Sequence, residues 1–285
     1  GGSGTRLWPL STSVQPKQFH AFGAQRCMIE DTALRFSGVH DDIEFLDPVV
    51  IAGQGHRDLV LELLAASGIK LSALVLEPEG RNTAATAALA ALVAQEIDPE
   101  ALVVLAPADH VVARPVGLID AIRAALPIVS DRIVTFGIQP TAPETGYGYI
   151  LGGAQLADGV REVAAFREKP KLADAERYLR EGGYTWNAGI FLFSPSLMLE
   201  EFSLASADIR DGAHEALKRA RRTGVEIHLD RESFLAVRAQ PVDIAVMEKT
   251  TRAAVAPCDV GWADIGSWAE LWRLSDKDPD GNAAS

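Results

Sequence analysis

Three glycines, a threonine and an arginine open the chain in "GGSGTR", and Lys17 follows Pro16 in "PKQF". A glycine-rich turn can aim several backbone N–H groups into one concavity, which suits phosphate oxygens. Arg6 adds a planar fork of donors and Lys17 a compact point charge. The spacing of Gly1, Gly2 and Gly4 matches neither the dinucleotide fingerprint nor the P-loop. On their own these residues therefore read equally well as a surface turn with two solvated cations.

Other positions carry types suited to chemistry. Asp109, in "PADH", directly follows the apolar run "ALVVL" and suits an oxygen ligand for Mg²⁺, or a helix N-cap. Asp264, in "GWADIGSW", is the second carboxylate candidate, with capping of the next helix as its plain alternative. "FREKP" sets Glu168 beside Lys169 at a strand end. Neighbours on an extended segment point to opposite faces, unless the proline-bound turn breaks the alternation. Asn187 and Gly189, in "TWNAGIF", would let a sugar ring approach the backbone while the amide reads its hydroxyls, or would form a polar bend in a buried strand. His110 reads as a packed or orienting group, and the other histidines show no ligand spacing.

The elements that must hold these groups alternate from Pro48 onward. "PVVIAG", "HRDLVLELLAASG", "LSALVLEP", "TAATAALAALVAQE" and "ALVVLAPADH" predict βαβ units and a mostly parallel sheet. Gly68 suits the end of the first of these helices, and Asn82 or Thr83 the cap of the second. After Gln139 the pattern changes to loop chemistry, then the strand "VREVAAFREKP", helices at "KLADAERYLREGG" and "PSLMLEEFS", and the strand "TWNAGIFLF" between them. Asp208 to Val246 reads as mostly helical, followed by a short strand and a terminal helix "SWAELWRLS". In open sheets of this kind ligands gather beyond the carboxyl ends of strands, where "PADH" and "EPEGRNTA" fall.

The chain has 285 residues, enough for one large α/β domain, and its net charge of -12 argues against nucleic acid as a partner. An anionic substrate then needs local Lys and Arg, or a divalent cation held by carboxylates. Cys27 and Cys258 lie far apart, which suits reduced thiols and a cytoplasmic protein. No apolar run reaches membrane-spanning length and no signal peptide is visible, although residue 1 already lies inside a motif.

Taken in order, "GGSGTRLWPLS…PKQF", "EPEGRNTA", "PADH", "TGYGYI", "FREKP", "WNAGIF", "PVDIAVMEKT" and "GWADIGSW" closely resemble the bacterial mannose-1-phosphate guanylyltransferases, over essentially the whole chain. The glycine loop and the lysine of "FREKP" are shared by sugar-phosphate nucleotidylyltransferases at large; "TRLWPLS" with "PKQF", "RNTA" and "VMEKT" narrow the resemblance to the mannose, GTP-using branch. It implies a Rossmann-like nucleotidyltransferase fold, with a mixed, mostly parallel sheet flanked by helices. The nucleotide-binding part would cover about 1–139 and the sugar-phosphate part about 140–285. The implied reaction converts GTP and mannose 1-phosphate to GDP-mannose and pyrophosphate with Mg²⁺ as cofactor. A homodimer is compatible with it; nucleic acid and membrane are not among the implied partners.

By the same resemblance, Gly2, Ser3, Gly4, Thr5 and Arg6 would line the nucleotide phosphates, and Lys17 would neutralise charge beside the reacting phosphate. Arg81, Asn82 and Thr83 would lie near guanine and ribose, and Asp109 and Asp264 would hold Mg²⁺. Gly146, Glu168 and Asn187 would contact mannose hydroxyls, Lys169 would hold the sugar phosphate, and Asp243 would support the site. Thr12 and Gln15 depart from the family's basic and aromatic residues, which predicts a weaker hold on the triphosphate. The family's first strand precedes the glycine loop, so it is expected to be missing from this chain, as is a C-terminal β-helical or cupin-like region after "DPDGNAAS". Rival readings are a glucose-1-phosphate uridylyl- or thymidylyltransferase and a catalytically silent nucleotide-sugar-binding paralogue.

Overall fold

The computed structural model describes residues 7–22, 24–275 and 277–283; Gly2, Ser3, Gly4, Thr5 and Arg6 lie outside them. After a 3₁₀ turn at Lys17–Phe19, helix α1 spans Met28–Arg35 and strands β1 (Gly38–His40) and β2 (Ile43–Phe45) form a hairpin. The expected alternation follows as β3 (Val49–Gly53), α2 (Arg57–Ala66), β4 (Ala73–Glu77), α3 (Asn82–Ile97) and β5 (Val103–Leu105). Gly68 ends α2 as predicted. Its φ is +71°, its N–H reaches the Ala65 carbonyl at 3.0 Å, and the Ile69 N–H reaches that of Leu64 at 2.9 Å.

The chain continues through β6 (Val111–Val112), α4 (Pro115–Ala125), β7 (Ile133–Ile138), β8 (Tyr149–Ala157), β9 (Val160–Arg167), α5 (Leu172–Glu181) and β10 (Tyr184–Phe193). It closes with α6 (Pro195–Ala205), α7 (Ala207–Lys218), β11 (Arg221–Thr223), β12 (Glu226–His228), α8 (Arg231–Leu235), a π-helical turn at Asp243–Met247, β13 (Ala253–Pro257), β14 (Trp262–Ala263) and α9 (Trp268–Leu274). Ala84, Ala85, Ala87, Ala88, Ala90 and Ala91 of α3 are all buried. An alanine surface lets α6 and α7 approach α3 closely, and an all-apolar helix of this kind belongs in the interior. Among the described residues no helix is long and apolar enough to cross a membrane.

The α/β class is as expected, and the sheets divide the pairing unequally. The four-stranded sheet, in order β11-β12-β4-β3, pairs β12, β4 and β3 in parallel. The six-stranded sheet, in order β5-β10-β7-β13-β9-β8, is parallel only between β7 and β13. Its antiparallel character follows from the tight β8–β9 turn at Asp158-Gly159 and from β10, which pairs antiparallel with β5, β7 and β8.

The stretch Asp208 to Val246 is mostly helical, as expected, and also carries a hairpin that was not: Gly224 (φ +58°) turns the chain into β11–β12, and β12 adds to β4 by burying Ile227. One local expectation needs correction. Neither Asn82 nor Thr83 acts as the predicted cap of α3. Asn82 (φ +64°) accepts from the adjacent Thr83 N–H at 2.8 Å, while the Thr83 hydroxyl accepts from the Val242 N–H at 2.9 Å.

Gly137 sits in β7 between two other strands. A Cβ there would press on the Thr185 side chain of β10 and lie 2.9 Å from Cγ2 of Val255 in β13. Gly137→Ala is expected to cost about 1–3 kcal/mol, read as a lower urea midpoint with an unchanged slope. An unchanged midpoint would show that the strands separate without cost.

Candidate active site

Strand β10 positions the site through a break in its own pairing. Along one edge it stays with β7; along the other, residues 184–186 pair with β8 and residues 191–193 with β5. Between those two stretches the register against β7 also slips, between Asn187 and Phe191, and Gly189 takes a φ of +69°. Into that gap come the loop after β5, which carries Asp109 and His110, and the loop before β8, whose Gly148 carbonyl accepts from the Asn187 N–H at 2.8 Å. A Cβ on Gly189 would be 3.7 Å from Cε1 of His110, so the two loops meet at this bulge.

Lys17 is 4% exposed, and the reading of it as a solvated cation is wrong. Its ammonium lies 3.1 Å from Oδ2 of Asp109 and donates to the backbone carbonyl of Asp264. An ammonium taken out of water must be paired in this way. Burial pushes the Asp109 carboxyl up, but His110 and Lys17 outweigh it and leave the group below the ordinary aspartate value. Burial, with help from Lys17, holds the His110 imidazole below its ordinary value, against Asp109 and Asp264. Trp262 donates its indole N–H to Nδ1 of His110 at 3.2 Å, so His110 is the packed, orienting group expected. Neither aspartate is a helix cap: Asp109 stands in the turn before β6, and the cap of α9 is Ser267.

The second half of the site is a chain of polar contacts. The Thr135 hydroxyl (2.8 Å) and the Gly189 N–H (3.1 Å) donate to Oδ1 of Asn187, and Asn187 Nδ2 donates to Oδ1 of Asp243 at 2.8 Å. Both acceptor positions of the Asn187 amide are thereby used, so toward a ligand it can act only as a donor. Burial first, then the nearby Glu168 carboxylate, pushes the Asp243 carboxyl up to about 7, against the pull of Lys169 and Asn187. Lys169 takes a φ of +46° directly before Pro170, a strained conformation for that position. The strain breaks the strand's alternation and brings Nζ of Lys169 within 3.0 Å of Oε1 of Glu168, while leaving the lysine head exposed.

Other expected residues have the following surroundings. Gly146 is exposed, with open space where a Cβ would stand. The glycine that matters for shape is Gly148, where a Cβ would lie 2.9 Å from Oε2 of Glu168 and 3.3 Å from Cβ of Asn187. Arg81 donates to the carbonyl of Leu235, the last residue of α8, at 2.7 Å, and Thr83 ties α3 to the segment after α8. Thr12 and Gln15, the two departures, bond to each other across a turn at 3.0 and 3.2 Å.

Sequence reasoning also missed groups whose only signal was an acidic or phenolic residue inside a recognised motif. Glu77, at the carboxyl end of β4, is buried with the Thr86 hydroxyl at 3.1 Å, and burial raises its carboxyl above the ordinary glutamate value. Tyr147 sends its hydroxyl to Oδ1 of Asp264 at 3.0 Å and to Oε1 of Glu270 at 3.1 Å.

A family model described as nucleotidyl transferase matches residues 1–281. The mannose-1-phosphate guanylyltransferase of Escherichia coli K12 is 44% identical over 289 residues, covering 99% of this chain and 60% of that protein. The xanthan biosynthesis protein XanB of Xanthomonas campestris pv. campestris B100 is 43% identical over 284 residues, with the same coverage of 99% and 60%. The chain thus spans about 60% of the length of these curated relatives. Among solved structures, one titled mannose-1-phosphate geranyltransferase from Thermus thermophilus superposes with a TM-score of 0.83 at 30% identity, covering 98% of this chain and 78% of that one.

The Asp243 carboxyl has a pH signature. An ordinary aspartate titrates near 3.8 and this one near 7, so between those values the folded state holds a proton that the unfolded state has lost. Its contribution to stability therefore falls as pH rises through that window. Asp243→Asn keeps the acceptor for Asn187 and removes the charge. Its thermal midpoint should match the parent's near the acid end and exceed it by a few degrees above about pH 7. A gap that does not change with pH would refute the assignment.

Proposed function

The chain belongs to the nucleotidyl transferase family, and from that premise we propose that it transfers the guanylyl group of GTP to mannose 1-phosphate, releasing pyrophosphate. The observation that carries the reading is the meeting of Lys17, Asp109 and Asp264 beside the bulge of β10. A buried cation, the Asp109 carboxylate and the Asp264 backbone carbonyl meet there, and the bulge residues Asn187 and Gly189 link them to a second group made of Glu168, Lys169, Asn187 and Asp243. The curated relatives named as mannose-1-phosphate guanylyltransferases supply the choice of substrates.

The donor set fits Mg²⁺. Asp109 and Asp264 are hard oxygen ligands, and this ion typically takes one or two carboxylates and completes its shell with water and phosphate oxygens. When bound, it supplies positive charge to the phosphates. The chain's own residues do the rest by position. Lys17, held by Asp109, would neutralise the α-phosphate, and Arg6 and the glycine loop would hold the remaining phosphates. Lys169 would hold the phosphate of the sugar, and Glu168 and the Asn187 amide its hydroxyls. The buried Glu77 carboxylate offers two acceptors, the complement of the adjacent N1–H and N2–H donors of guanine and not of uracil or thymine.

In the reaction, a phosphate oxygen of mannose 1-phosphate forms a bond to the α-phosphorus of GTP. The bond from that phosphorus to the β-bridging oxygen breaks, and pyrophosphate leaves with the electron pair. The attacking phosphate is already an anion, so no general base is required, and catalysis rests on alignment and charge neutralisation.

Lys169→Ala should raise KM for mannose 1-phosphate roughly tenfold to a hundredfold, with KM for GTP little changed; an unaltered sugar-phosphate KM refutes its role. A matrix of GTP, UTP and dTTP against mannose and glucose 1-phosphates, with and without Mg²⁺, tests the reading itself. Pyrophosphate release is expected with GTP and mannose 1-phosphate and not from Asp109→Ala. Preference for UTP or dTTP with glucose 1-phosphate would favour the uridylyl- or thymidylyltransferase reading. Binding without turnover would favour a silent paralogue.

A further inference from the structure

Tyr147 has one hydroxyl proton and two carboxylates within reach, Asp264 at 3.0 Å and Glu270 at 3.1 Å. Its ring is fixed edge-on between Trp186 (5.1 Å) and Trp262 (5.0 Å), and Trp262 in turn holds His110 beside Asp109. A phenolic O–H set between two carboxylate oxygens acts there as the donor. The turn it touches carries Ile265 at a φ of +44°, a costly conformation for a β-branched residue.

Glu270 secures the other side of that turn. Its Oε2 accepts from the Gly266 N–H at 2.8 Å, and its own N–H goes to the Ser267 hydroxyl at 3.2 Å. Capping the start of α9 accounts for those two bonds. It does not account for Oε1, which is turned to the Tyr147 hydroxyl and has Arg273 at 3.3 Å. The side chain is 12% exposed, so holding a carboxylate there has a desolvation cost that a cap alone does not require.

We infer that Tyr147 and Glu270 are positioning residues that fix the carboxylate of Asp264 and thereby set how tightly a divalent cation is held. The inference rests on the assignment of Asp264 as a metal ligand made above. A carboxylate fixed by a second layer of hydrogen bonds loses less freedom when it takes up a cation, and such partners are typically worth about 10- to 100-fold in metal affinity. Helix α9 would then be part of the metal site, although it supplies no ligand.

The test is direct Mn²⁺ binding to the full chain, read by the loss of the free-ion electron paramagnetic resonance signal, with no nucleotide or sugar present. Tyr147→Phe is expected to weaken Mn²⁺ about tenfold or more, to raise the Mg²⁺ concentration for half-maximal turnover by a similar factor, and to leave KM for mannose 1-phosphate unchanged at saturating Mg²⁺. Glu270→Ala should act in the same direction and carries the test if Tyr147→Phe does not fold. Ser267→Ala removes the cap and leaves the Tyr147–Glu270 contact; it should lower the thermal midpoint and keep Mn²⁺ affinity. Asp264→Asn separates the two layers of argument. If it binds Mn²⁺ like the parent, the metal assignment fails. If it loses Mn²⁺ while Tyr147→Phe and Glu270→Ala stay within twofold of the parent, or if Ser267→Ala weakens Mn²⁺ as much as Glu270→Ala, the positioning role is overturned.

Discussion

A buried ammonium has to be answered by oxygen atoms, and Lys17 draws its answers from two distant parts of the chain. Asp109 arrives on the loop after β5 and the Asp264 carbonyl on the turn before α9. Removing one member of such a buried set typically costs about 3–5 kcal/mol, because the remaining charge is left uncompensated. The N-terminal segment, the strand-end loop and the last turn are thus constrained to one place by electrostatics.

The two halves of the site are built by different physics. Around Lys17 the contacts are ionic, and they hold Asp109 in its charged form. Around Asn187 they form a hydrogen-bonded chain from Thr135 through the amide to Asp243, where burial and Glu168 oppose the charge. The bulge in β10 joins them. Asn187 opens it, and Gly189 within it lies against His110, so a shift on one side is felt on the other.

The alternation of β3, α2, β4, α3 and β5 was legible because each element carries its own period and stop signals, Gly68 being the clearest. The β11–β12 hairpin was not, because its strands are three residues each and find their stabilisation on β4, far away in the chain. At the site, strand-end position singled out Asp109, and the pairing of Glu168 with Lys169 depended on a backbone angle that no residue type announces. Lys17 was legible as a charge but not as a buried one, since burial is decided by what folds over it. Gly146 and Gly148 share one motif, and only the approach of Glu168 distinguishes the glycine that must lack a side chain. Tyr147 and Glu270 matter through each other, and a relation across 123 positions leaves no local pattern.

The contact between Lys17 and Asp264 spans 247 positions of the chain. At a synthesis rate of roughly 5–20 residues per second, Lys17 leaves the ribosome some tens of seconds before its second oxygen partner exists. Until then the ammonium has at most Asp109 to pair with, and water remains the better solvent for it. The segment around Lys17 therefore has reason to stay open while the sheets and helices pack, and to close over the site only when the turn before α9 arrives. Emergence of that turn and completion of the site are, in this molecule, the same event.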